Sequence, residues 1–113
     1  MSTLDDILAQ RDAAIKLLQR KLEQANNIKN GGAGGMDKVI EALAEQEADV
    51  AAQAYTAGLD DPIMAQALAR LKAATAEMNT VAARMISATT FISNVASLGT
   101  ATNKVVAALK GSS

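Results

Sequence analysis

The chain has 113 residues, half of them apolar and a fifth charged, with a net charge of −1 at neutral pH. That length suits one compact domain, so residues 1–113 are expected to form a single helical unit. The balanced charge offers no concentrated basic face, which argues against nucleic acid as a partner. Histidine and cysteine are both missing, which removes the usual general base, the commonest metal ligand and the thiol nucleophile together; the expectation is a protein that is not an enzyme and uses no cofactor or metal.

Alanine is frequent and Pro62 is the only proline, a composition that favours helix because alanine loses the least side-chain entropy there. The fold class expected is all-α. The first helix opens at Ser2 or Thr3, either able to cap free N–H groups, with Asp5 and Asp6 placed favourably for the helix dipole. Leu4, Leu8, Ile15, Leu18, Leu22 and Ala25 recur at three- and four-residue steps and make an apolar stripe to about Ile28, with Arg11 filling one position of the series. Asn30 and the run GGAGG end it, so residues 30–35 read as a flexible linker. This glycine run follows a helix, not a strand, and lacks the GxxxxGK spacing of a phosphate loop.

The second helix starts near Met36 or Asp37 and carries Val39, Ile40, Leu43, Val50 and Ala54 on one side, with Gly58 as its expected end. Asp37, Glu41, Glu45 and Asp49 form an acidic ridge along it. The ridge reads as a solvated face partly paired with the first helix, the sharper alternative being a docking surface for a basic partner. A metal site there is disfavoured, because helical-bundle metal motifs expect Glu-x-x-His. Asp60, Asp61 and Pro62 restart helix, and capping accounts for both acids without a catalytic role.

From Ile63 to Leu109 no proline occurs and Gly99 is the one glycine, which predicts a single helix of roughly 70 Å. An uncharged seam runs through it at three-four steps, from Met64, Ala67, Leu71, Ala74, Met78, Val81 and Met85 to Ala88, Ile92, Val95, Gly99, Thr102, Val106 and Leu109. The architecture expected is a three-helix bundle with a long C-terminal helix. The alternative is a kink or break near Gly99 that leaves a short fourth helix from about Thr102 to Leu109; residues 111–113 are expected to be a disordered tail.

The first two helices are each about half as long as the third, so either the third overhangs, or it bends back, or the first two pack end to end along it. An overhang leaves apolar surface that a second protomer would cover. The predicted partner-binding residues are Met78, Met85, Phe91, Ile92, Val95, Leu98 and Val106, and the partner is another copy of the chain or another helical protein. Residues 85–103 carry no charge and would span about 28 Å as helix, near the thickness of a bilayer core. Nine of these nineteen residues are polar, two of them asparagine, which argues against stable membrane insertion. The N-terminal segment, with Asp5 and Asp6 and no apolar core, does not resemble a secretion signal, so a cytoplasmic location is expected, with signal-less export as the alternative. The leading functional expectation is a helical protein–protein interaction module that self-associates through its C-terminal helix. A small component or chaperone of a protein secretion or injection system is the alternative.

Overall fold

Four helices account for most of residues 2–111, the part of the chain that the computed structural model describes. They are α1 (Thr3–Asn30), α2 (Met36–Ala52), α3 (Asp61–Ala82) and α4 (Ala88–Lys110). The all-α class holds, and the long C-terminal helix of the sequence reading is two helices folded into a hairpin.

Local chemistry sets most helix ends. Ser2 caps α1, its hydroxyl accepting from the Asp5 N–H at 3.1 Å, and Lys29 lies in the last turn where a cation suits the carbonyl end. The glycine connector follows, with Gly32 and Gly35 at φ of 98° and 79°, a region that residues with side chains avoid. The second helix stops at Ala52, six residues before Gly58. Arg11 ends it early: the guanidinium donates from Nε to the Gln53 carbonyl at 2.8 Å and from Nη2 to the Ala51 carbonyl at 2.7 Å. Residues 53–60 then run without regular structure, tied down by the Thr56 N–H donating to the Leu109 carbonyl at 2.8 Å. Asp60 takes the N-cap position of α3 but makes no side-chain hydrogen bond to the helix, contrary to the capping expected of it, while Asp61 and Pro62 lie in the first turn as expected.

The break between α3 and α4 lies at residues 83–87, not at Gly99. Ser87 and Thr90 form a capping box: the Thr90 hydroxyl accepts from the Ser87 N–H at 2.8 Å, and the Ser87 hydroxyl accepts from the Thr90 N–H at 3.4 Å. Gly99 lies inside α4 and permits a close approach. A Cβ there would stand 3.0 Å from Nε2 of Gln46 on α2, a side chain that donates to the Val95 carbonyl at 3.2 Å.

Antiparallel α1 and α2 form one hairpin, and α3 and α4 the other. The hairpins pack so that α1 lies beside α3 and α2 beside α4, while α2 and α3 have no close approach among the described residues. Both side-by-side pairs run parallel, since Gln10 meets Thr75 and Lys21 meets Met85, while Gln46 meets Val95 and Thr56 meets Leu109. The result is an elongated four-helix body of 50 × 24 × 22 Å. Its core is aliphatic around Phe91, with Ile7, Leu18, Leu43, Leu71, Met78, Leu98 and Leu109 fully buried. Two hydroxyls lie inside it: Thr75 and Thr102 donate to carbonyls one turn earlier, at Leu71 and Leu98, so neither is left unpaired.

Candidate interaction face on the fourth helix

The exposed side of α4 is built from Thr89, Ile92, Ser93, Ala96, Thr100 and Asn103, without a charge before Lys104. Other helices expose charge regularly: Asp12, Lys16, Arg20 and Glu23 on α1, the acidic ridge on α2, Arg70 and Lys72 on α3. Several polar groups along α4 are already occupied by their own helix. The Thr100 hydroxyl donates to the Ala96 carbonyl at 3.2 Å, the Ser93 hydroxyl to the Thr90 carbonyl at 3.4 Å, and the Asn94 amide to the same carbonyl at 2.8 Å. Such groups give up fewer water contacts on burial, so covering this face costs less than its hydroxyl count suggests. Beside it, a groove of about 360 Å³ runs between α3 and α4, floored by Ala73, Ala74, Ala107 and Ala108. Arg70 and the ion pair of Lys104 with Glu77, 2.8 Å apart, stand at its edges.

The residues assigned to partner binding from sequence divide sharply. Met78, Met85, Phe91 and Leu98 are fully buried, covered by the helices of the chain itself. Val95 and Val106 are half-buried against that core, and Ile92 is 49% exposed. The inward face of α4 is turned by nearly one residue, of the order of 100° of helix, from the expected seam: Phe91, Leu98 and Val105 point in where Ile92, Gly99 and Val106 were expected, while Thr102 and Leu109 are buried as expected. The four ridge carboxylates, Asp37, Glu41, Glu45 and Asp49, are all exposed. Asp37 pairs with Lys29 at 2.6 Å and is the one member of the ridge with an ion-pair partner among the described residues. No three of His, Cys, Asp or Glu converge there as metal ligands among the described residues.

Lys21 is the main polar contact that the sequence did not single out. Its ammonium donates to the Met85 carbonyl at 3.0 Å and to Gln24 at 3.1 Å, and it lies 5.6 Å from the centre of the Phe91 ring. It therefore pins the α3–α4 turn to α1. Burial lowers its pKa from the ordinary lysine value of 10.5, and the neighbouring charge of Arg20 adds to the effect. The sign of the pH dependence follows, because the unfolded chain keeps this proton to higher pH than the folded one, so its contribution to stability rises with pH through the window below 10.5. The stability of the parent relative to Lys21→Met is accordingly expected to increase as pH climbs from neutral towards that value, measured by urea unfolding. A difference that falls with pH would contradict the assigned cause.

Among the described residues no helix is long and apolar enough to cross a membrane. Protein-family models, curated proteins and solved structures give no match to this chain.

Proposed function

We propose that the chain is a non-enzymatic helical interaction module that self-associates through the outer face of α4. The observation that carries this reading is the uncharged exposed surface from Thr89 to Asn103 in a protein whose other helices expose charge. A second copy is the favoured occupant because a face without charge can oppose itself across a twofold axis without like-charge repulsion. The acidic ridge of α2 lacks that property. The lack of histidine and cysteine supports a role that does not depend on bond chemistry.

Sedimentation across a dilution series tests the reading. The parent chain is expected to show a concentration-dependent dimer. Ala96→Glu, which sets like charges near one another across the interface, is expected to weaken dimerisation by at least roughly tenfold while leaving the helical circular dichroism unchanged. A compact monomer at every concentration, or an Ala96→Glu chain that associates as the parent does, would overturn it.

A further inference from the structure

We propose that the α3–α4 turn is a hinge through which two copies of this chain exchange their α4 helices, each copy straightening α3 and α4 into one continuous helix. This goes beyond association through the outer face, which leaves each hairpin closed.

The turn is built from residues that favour helix. It contains neither glycine nor proline, and among the described residues every positive φ belongs to a glycine elsewhere in the chain. Ala83 is still helical, at φ −62° and ψ −23°. The N–H groups of Ala83, Arg84 and Met85 still donate backwards, each at 3.0 Å, to the carbonyls of Asn79, Val81 and Ala82. Extended backbone is established at Ser87, with φ −142° and ψ 169°. Closing the gap to a continuous helix thus changes a few dihedrals, with no left-handed residue to undo.

The hydrophobic pattern is also in register across the turn. Met78, Val81 and Met85 continue at three-four steps into Ala88, Ile92 and Val95, the spacing of one uninterrupted seam. In the hairpin Ile92 on this seam is half-exposed, and Ile86 in the turn beside it is 72% exposed. What holds the turn itself closed is a small set of contacts. The capping box and the Ile86 N–H donating to the Thr90 hydroxyl at 2.9 Å act with Lys21 on the Met85 carbonyl. A straight helix replaces the caps with main-chain hydrogen bonds, and an exchanged α4 meets the same surfaces of α1, α2 and α3 in the second copy that it left in its own. The two states therefore share most of their packing, and protein concentration shifts the balance between them.

Glu77 and Lys104, whose side chains meet across α3 and α4, provide the test in a chain that has no cysteine of its own. Glu77→Cys with Lys104→Cys, bridged by a short bis-maleimide, links residues of one chain in the closed hairpin and of two chains after exchange. Denaturing electrophoresis separates these outcomes. After refolding at high protein concentration the double-cysteine chain is expected to yield linked dimers. Adding Ser87→Ala and Thr90→Ala is expected to shift the exchange equilibrium roughly hundredfold towards the dimer, about tenfold for the cap lost at each of its two hinges. Ala88→Pro is expected to reduce them to background with helical content retained. Proline suits the first position of α4 after an extended Ser87 but breaks a helix running through that position. Bridges confined to single chains in the parent and in the cap-deleted variant would overturn the exchange, and a sedimenting dimer with such bridges would leave outer-face association standing. Ala88→Pro chains that link as readily as the parent would equally overturn the hinge.

Discussion

Phe91→Ala is expected to lower stability by about 3–5 kcal/mol, the range for removing a fully buried phenylalanine and leaving a cavity. Phe91 is among the largest fully buried side chains and packs where α4 begins, beneath the Lys21 ammonium. A small domain has about 5–15 kcal/mol in all, so this one change removes a large share. Ile92→Ala, one residue further on, should cost no more than about 1 kcal/mol, because half of that side chain is already in water and exposed positions are forgiving. Urea unfolding of the two variants checks the contrast. Equal losses at both positions would mean that α4 is rotated from the orientation described. The pair also separates folding from association: Phe91→Ala acts through the core, whereas Ile92→Ala acts on the outer surface.

The neighbouring residues Phe91 and Ile92 also mark the limit of what is legible in the sequence. A repeat running from Met64 to Leu109 is the pattern expected of a helix with one seam, and nothing between Ala83 and Ser87 carries the glycine or proline that ordinarily marks a turn. The stop depends on Ser87 with Thr90, a capping box with threonine in place of the usual glutamate or glutamine, and on Lys21 reaching across from α1. The first feature was faint in the sequence, and the second depends on tertiary structure. Once α4 folds back it contacts α2 and α3 together, so its buried arc centres between them and a one-seam pattern misplaces it by one residue. Length mismatch among three helices suggested a missing partner; for Met78, Met85, Phe91 and Leu98 the cover is the chain itself. By contrast, the Ser2 cap, the glycine connector and the restart at Asp60 to Pro62 were legible because each rests on a few adjacent residues. The uncharged outer face was legible too, as the unbroken run from residue 85 to 103, although only the fold shows which of its residues reach solvent.

Arg11→Ala is expected to cost about 1.5–3 kcal/mol and to loosen the end of α2 before the rest of the molecule. Arg11 interrupts the apolar stripe of α1. Its two hydrogen bonds explain the position: both go to carbonyls at the C-terminal end of α2, where backbone acceptors lack helical partners and partial negative charge accumulates. Hydrogen bonds from a charged donor contribute about 1.5–3 kcal/mol each when well placed. One of these is exposed, so water recovers part of the loss and the lower total applies. Arg11→Lys should restore only a fraction, since an ammonium cannot reproduce the fork that spans the Ala51 and Gln53 carbonyls. Hydrogen exchange distinguishes this from general destabilisation. The amides of Val50, Ala51 and Ala52 should lose protection more than those around Leu18 or Leu71, and uniform loss across all four helices would show that Arg11 supports the core as a whole instead of ending α2.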